Sequence, residues 1–341
     1  MLRVLGIVVS LACAAVVLVL TWPQLLRLER TYPFAQTVAF RGIAVGVCAA
    51  LCLVLLLVAI IRPVRPLALA LAAVVGIAAV GGVAVLMTRG VGTDALPAKG
   101  AKSIRVLTWN TAGAATSAQT IAQTAVAMDA DIVTLPETTI ETGEKVALAM
   151  RAMNHRMWAY HTQYGEHGWD ASSTTLLISP RLGDYAVVAS SVNGSTGTST
   201  VPSVVAMPVN GMGPVVVAAH AVAPRAEYVA RWQSDLRWLA DQCASADVIM
   251  AGDFNATIDH MSGLGVKDAT LGRCTDAASR TGNGAVGTWP TSLPALLGSP
   301  IDHVMTTTTW RPSGSVVLRS LDGSGSDHRP LVVQLEPASG G

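Results

Sequence analysis

Three stretches near the start of this chain carry no charged residue: Val4–Leu20, Gly42–Ile61 and Leu67–Met87, of 17, 20 and 21 residues. As helices rising about 1.5 Å per residue, they reach or approach the span of a bilayer's hydrocarbon. The pattern predicts three transmembrane helices, at about 4–20, 42–61 and 67–87. They form an anchor over residues 1–88, followed by a linker over 89–102. Although Arg3 precedes it, the first run does not read as a cleaved leader. It is long, no small-x-small site follows, and Tyr32–Phe34 leads directly into the next span.

From residue 103 the pattern changes to short apolar strands with turns between them. Strands are predicted at Ile104–Trp109, Asp131–Leu135, Thr174–Ile178, Tyr185–Ala189, Val201–Pro208, Pro214–Ala219, Val248–Ala251, Ile301–Met305, Ser315–Arg319 and Leu331–Leu335. Helices are predicted at Ala118–Met128, Glu141–Met153 and Arg225–Cys243. The run Asn193–Thr200 reads as a flexible loop, and so does the region holding His155, His161 and His167 beside Tyr160, Tyr164 and Trp169. Strand clusters punctuated by helices predict two sheets packed face to face with helices outside, a single α/β domain over 103–337.

Charge divides the chain at the same boundary. Residues 1–98 hold seven Arg, no Lys, and only Glu29 and Asp94 as acids. From residue 99 on there are 16 basic and 20 acidic residues and all seven His. An acidic domain lacks the Lys/Arg footprint that binding a polyanion requires, so nucleic acid is not an expected partner. Arg62 and Arg65 crowd the short loop between the second and third spans, with Arg3 on the same side. Arg27, Arg30, Arg41 and Arg89 are spread along the other side. The denser side is expected to be cytoplasmic, which places the C-terminal domain outside the cell as part of a multi-pass membrane protein. Cys13, Cys48 and Cys52 read as small apolar residues of the spans. The spacing of Cys243 and Cys274 excludes a C-x-x-C metal site and leaves their pairing open.

Apolar strands end repeatedly in polar residues of one chemical type. Asn110 follows the first strand, Glu137 the second, and His220 closes the Pro214 strand. Gly252-Asp253-Phe254-Asn255 ends the strand from Val248, with Asp253 and Asn255 aimed the same way by the two-residue period. Ile301-Asp302-His303 and Ser326-Asp327-His328 flank the last strands. Asn110, Glu137, Asp253, Asn255 and Asp327 are hard oxygen donors suited to Mg²⁺ or Mn²⁺, and a His beside a carboxylate suits activation of water. Asp259 and His260 read as helix-capping residues. Gly287-Thr288-Trp289-Pro290 reads as an aromatic rim or as packing, and Arg225 as solvated though near enough to reach a phosphate.

The order Asn110, Leu135-Pro136-Glu137, His220, Gly252-Asp253-Phe254-Asn255, Ile301-Asp302-His303, Ser326-Asp327-His328 resembles the endonuclease/exonuclease/phosphatase family over residues 103–337. The resemblance implies the four-layered DNase I-like α/β sandwich, here preceded by three transmembrane helices. It further implies Glu137 as principal metal ligand, with Asn110 and Asp327 in or near the shell. His328 becomes the general base, oriented by Asp302. Asp253 positions water or manages a proton, Asn255 bonds the developing oxyanion, and His220 contacts phosphate and assists the leaving group. Pro136 stands where the family usually has Gln, and Trp109 where smaller residues are common. The three spans resemble a bacterial membrane-anchored branch that includes VanJ-type glycopeptide-resistance proteins. The expectation is a Mg²⁺- or Mn²⁺-dependent phosphoesterase tethered to the bilayer and acting on a lipid-borne phosphate or diphosphate. The alternatives are a tethered extracellular nuclease and a catalytically silent envelope-binding domain.

Overall fold

The computed structural model describes residues 2–93, 96–165, 170–189 and 196–338. His167 and Trp169, and the start of the Asn193–Thr200 loop, lie outside the described residues.

Among the described residues three helices are long and apolar enough to cross a membrane: α1 (Leu2–Thr21), α3 (Arg41–Val58) and α4 (Arg65–Arg89), with the short α2 (Phe34–Ala39) before α3. α4 packs on both α1 and α3 through small residues, since a side chain at Gly81 would strike Trp22 and one at Gly82 would strike Val45. Small residues let the helix backbones approach this closely. Arg65, at the start of α4, caps the preceding span by donating from Nε to Ala59 O at 2.9 Å.

The remainder folds as β1 (Ile104–Thr108), α5 (Ala118–Ala127), β2 (Ile132–Pro136), α6 (Ile140–Ala152), β3 (Trp158–Gln163), β4 (Ser173–Ile178), β5 (Tyr185–Val187), β6 (Val204–Pro208), β7 (Val215–His220), α7 (Val229–Gln242), β8 (Val248–Asp253), β9 (Thr275–Asp276), α8 (Ala277–Arg280), β10 (Asp302–Thr306), β11 (Trp310–Val317) and β12 (Leu331–Pro337). One sheet has the order β11-β12-β1-β2-β4-β3, the other β5-β6-β7-β8-β10-β9. In each sheet a single parallel pair, β1–β2 or β7–β8, sits among antiparallel neighbours. A parallel pair needs a crossover, supplied by α5 in one sheet and α7 in the other. Ser117 and Thr139 start α5 and α6 by accepting from the backbone N–H groups of Thr120 and Thr142.

Burial follows the two-residue period and separates three apolar layers. Val106, Ile132 and Leu176 of one sheet meet Val216, Ala218 and Ile249 of the other in the central layer. Leu107, Val133 and Leu177 face α5 and α6. Met250 of β8 packs with Trp232 and Leu236 on the underside of α7. The result is the expected four-layered sandwich, a DNase I-like α/β fold.

Local differences from the sequence reading have local causes. A strand, β3, stands where a loop is expected: none of its residues is buried, so a half-exposed edge strand leaves no apolar alternation. α7 begins at Val229, four residues later than predicted, and the residues Ala223–Glu227 ahead of it line a cleft. Asp259 and His260 lie in turns and cap no helix.

Cys243 and Cys274 form a disulfide that ties the end of α7 to the approach to β9.

Candidate active site

Each parallel pair carries its polar residues to the same end of the sandwich. Asn110 lies just past β1, Glu137 just past β2, His220 ends β7 and Asp253 ends β8. Register brings the rest. His220 pairs with Asp253 across the parallel ladder, and Asp302, the first residue of antiparallel β10, lies opposite Asp253. Leu331 pairs with Thr108, which sets His328 and Asp327 beside the exit of β1. Ser326 Oγ fixes this junction by donating to Asn110 O at 2.6 Å and accepting from His328 N at 3.0 Å. Gly252 is required next to Asp253, since a Cβ there would stand 1.9 Å from Ala219 O.

All eight candidate residues therefore meet in one place. Asn110 Nδ2 donates to Glu137 Oε1 at 3.1 Å and to Asp253 Oδ2 at 3.0 Å. Asp253 Oδ1 accepts from Asn255 N at 2.8 Å. His328 Nδ1 donates to Asp302 Oδ2 at 2.8 Å, so its Nε2 faces Asp253 at 3.9 Å and Asp327 at 4.0 Å. His220 Nε2 lies 3.9 Å from Glu137 Oε1. Glu137 and Asn255 both hold left-handed backbone, φ +57° and +47°. Such conformations persist only where the surroundings enforce them.

Burial sorts the titrations. It drives His220 down to about 3, with positive His328 nearby adding to the effect, so His220 is a neutral imidazole that offers hydrogen bonds but no charge. Burial and then the Asp302 charge raise Asp253 to about 7, so this carboxyl can hold a proton near neutrality. Burial also pulls His328 downward, but Asp302 outweighs it and lifts the imidazole to about 10.

Two donor sets lie within this cluster. One oxygen or nitrogen each from Asp253, Asp302 and His328 fall within 4.8 Å of one another. That set already forms an ion-paired relay. Glu137 stands at the mouth, its side chain 29 % exposed, with Asp327 on the rim. These two suit a hard divalent cation. Asn110 turns its nitrogen to Glu137 because its Oδ1 accepts from Ala112 N at 3.0 Å, so ligation through that oxygen requires the amide to rotate. Asn255 likewise spends Nδ2 on Ala221 O (2.9 Å) and Asp253 (3.3 Å), and as placed it braces Asp253. His303 points away from the cluster, bonding Asp276 at 2.8 Å and Ala256 O at 2.8 Å, as alternation along β10 demands.

The cleft over this cluster has a volume of about 800 Å³. Trp289 borders it and donates from Nε1 to Asp327 Oδ2 at 2.8 Å, so the aromatic rim also positions an acid. Arg225 lines the same cleft. A buried residue absent from the sequence reading holds the rim. Arg329, 1 % exposed, grips Asp322 at 2.7 Å and donates to the carbonyls of Gly287, Thr291 and Leu293. Arg329→Met should cost about 3 kcal/mol, because several carbonyls and a carboxylate lose a shared donor. Equilibrium unfolding checks this, and a cost under about 1 kcal/mol would deny Arg329 that role.

A model of the endonuclease/exonuclease/phosphatase family matches residues 107–328. An endonuclease/exonuclease/phosphatase from Beutenbergia cavernae superposes with a TM-score of 0.52 at 19% identity, covering 69% of this chain and 72% of that one. Humanized TDP2 of D. rerio gives a TM-score of 0.52 at 16% identity, covering 69% and 100%. TDP2 of D. rerio complexed with a single-strand DNA product gives 0.51 at 15%, covering 69% and 99%. At such identities the likeness is one of fold. No curated protein matches the chain.

Proposed function

The chain belongs to the endonuclease/exonuclease/phosphatase family, whose members generally hydrolyse phosphate ester and phosphodiester bonds, and from that premise we propose that it is a membrane-anchored, divalent-metal-dependent phosphoesterase acting on a lipid-borne phosphate or diphosphate. The observation that carries this reading is the position of the cleft. Its floor is formed by Glu137, Asp253, Asn255 and His328, and its outer wall is the segment between two apolar helices. Tethering confines enzyme and lipid to one leaflet and raises their effective concentration.

In this reading Glu137 and Asp327, with Asn110 after rotation of its amide, would hold Mg²⁺ or Mn²⁺, which would neutralise charge on the phosphoryl oxygens. His328, held protonated by Asp302, must first pass its Nε2 proton to Asp253, 3.9 Å away, and can then take the proton of the attacking water while Asp302 fixes the ring through Nδ1. Asp253, with its raised pKa, stores or returns a proton beside it. His220 donates a neutral hydrogen bond to the phosphate, and Arg225 supplies positive charge at the cleft wall.

Two observations support an active site outside the cell. The Cys243–Cys274 disulfide fits an oxidising compartment. On the catalytic side, Arg30, Arg41 and Arg89 are bound to the domain, so they weigh little against the Arg62/Arg65 loop in setting orientation. The spans ahead of the domain keep the likeness to the VanJ-type branch as part of this proposal. A tethered nuclease is the rival, prompted by the DNA product bound to the D. rerio protein of the same fold. Against it, Arg225 is the one Lys or Arg among the described residues lining the cleft.

The test is phosphate release by the full chain in detergent micelles from prenyl diphosphates, phosphatidic acid and plasmid DNA, with Mg²⁺ or EDTA. Metal-dependent release from a lipid phosphate supports the proposal; nicked DNA alone would replace it with the rival. Glu137→Gln should raise the Mg²⁺ concentration needed for half-maximal rate by about 100-fold, since even outer-shell partners of a metal are worth about 10–100-fold. An unchanged Mg²⁺ titration would remove Glu137 from the metal shell.

A further inference from the structure

We propose that the segment joining the first two membrane spans is part of the active site, and that Tyr32, Ala39 and Phe40 receive the hydrocarbon next to the phosphate of a membrane-embedded substrate. This rests on the phosphoesterase reading and extends it: the anchor is a specificity element as well as a tether.

The cleft has two chemically distinct ends. Glu137, Asp253, Asp327 and His328 form the polar end, while Tyr32, Ala35, Ala39, Phe40 and Trp289 form an apolar and aromatic one. All of the latter except Trp289 come from the anchor. Phe40 and Trp289 pack with ring centroids 5.8 Å apart, and Trp289 is bonded to Asp327. One continuous aromatic surface thus runs from the proposed metal shell to Phe40, whose neighbour Arg41 is the first residue of a membrane helix.

The wall is built into the catalytic domain. Ala35 is fully buried in the core beneath α7. His260 Nε2 donates to Ala35 O at 2.9 Å, and its Nδ1 accepts from Thr257 N at 2.7 Å. Arg30 Nη1 donates to the carbonyls of His260 (2.7 Å) and Ser262 (2.6 Å), while Gln233 donates to Arg30 O at 2.6 Å. Gln36 donates to Pro224 O beside the cleft-lining Arg225. Yet Tyr32, within this docked segment, remains 57% exposed. An aromatic ring left open at the mouth of a cleft, on a rigid support at the end of two spans, fits an apolar chain rising from the bilayer. A phosphate held at Glu137 and His328 would place its first carbons along Phe40 and direct the remainder toward α3.

The experiment compares kcat/KM of the full chain in mixed micelles for a long-chain prenyl diphosphate and for a short, water-soluble prenyl diphosphate. Phe40→Ser and the exposed Tyr32→Ser are each expected to lower the long-to-short ratio about 10-fold, the scale on which pockets discriminate a few methylenes. Met212→Ser, on a distant loop 71% exposed, is the control and should leave the ratio unchanged. Binding of a non-hydrolysable long-chain prenyl phosphonate, followed by calorimetry on the same proteins, should weaken by a similar factor. Wild-type turnover with a ratio and binding indifferent to both substitutions would overturn this inference and leave the enzyme standing. Phosphonate binding that depends on Phe40, without turnover of any phosphate, would retain the wall and sink the enzyme reading.

Discussion

His328→Ala is expected to lower kcat about 1,000-fold with little change in KM, within the range that a positioned general base contributes. The imidazole Nδ1 is committed to Asp302, leaving Nε2 to face the cleft, and the pair is buried. Among the described residues Asp302 Oδ1 has no hydrogen-bond partner, so the carboxylate's bond is the one to the ring. Asp302→Asn should therefore cost about 100-fold or more without touching substrate. An amide at this place no longer requires Nδ1 to carry the proton, and the tautomer with its lone pair turned to water loses its advantage. Steady-state rates of the full chain at saturating Mg²⁺ check both. Retention of more than a tenth of wild-type kcat in His328→Ala would place the base elsewhere.

The second large effect is structural. Asp259 is a buried carboxylate 5% exposed, bonded by Arg41 at the start of α3 (2.7 and 3.1 Å), Arg89 at the end of α4 (2.7 and 2.8 Å) and Gln24 after α1 (2.7 Å). Burial alone would raise its pKa, but the two guanidinium groups outweigh that and hold it well below the usual carboxylate range. Asp259→Ala leaves two arginines facing each other, Arg41 only 8% exposed, without their counter-charge. Breaking a buried ion pair from one side costs about 3–5 kcal/mol. Because the clamp joins anchor to domain, the loss should be read first at their junction. Limited proteolysis within residues 22–40 should accelerate, and the melting temperature in detergent should drop. A protein that melts and resists proteolysis like wild type would show that the clamp is dispensable.

How far the sequence discloses this molecule depends on the range of the interaction involved. Asn110, Glu137, His220 and Asp253 are legible because each ends an apolar strand, a local pattern, and the family order of motifs supplies their meeting. The spans are legible from uncharged length alone. The wall of the cleft is not. Its docking runs through backbone carbonyls, at Ala35, His260 and Pro224, and a carbonyl is the same in every residue. Asp259 misleads for a related reason: an acid after a turn has the local signature of a helix cap, while its partners lie 170 and 218 positions away in sequence. Trp289 reads from sequence as rim or as packing, and the structure makes it both, bonded to Asp327 and packed on Phe40. Arg329 carried no signal, since a basic residue before Pro330 reads as surface until the loop carbonyls that surround it are known.

The chain leaving α4 has consequences for how a substrate would be found. Ala285 N donates to Gly90 O, Gly92 N donates to Gly282 O and Asn283 bonds Thr93, while Gly42 abuts Leu296 with no room for a side chain. The start of the expected linker, residues 90–93, is therefore bonded to the domain directly after α4 and gives no slack there. In the proposed setting, encounter becomes a two-dimensional problem. Enzyme and lipid would meet only by lateral diffusion, at a fixed height, and the velocity would follow the substrate's mole fraction in the leaflet. Diluting the suspension would leave such an enzyme's rate per molecule unchanged, whereas diluting the substrate with inert lipid would slow it.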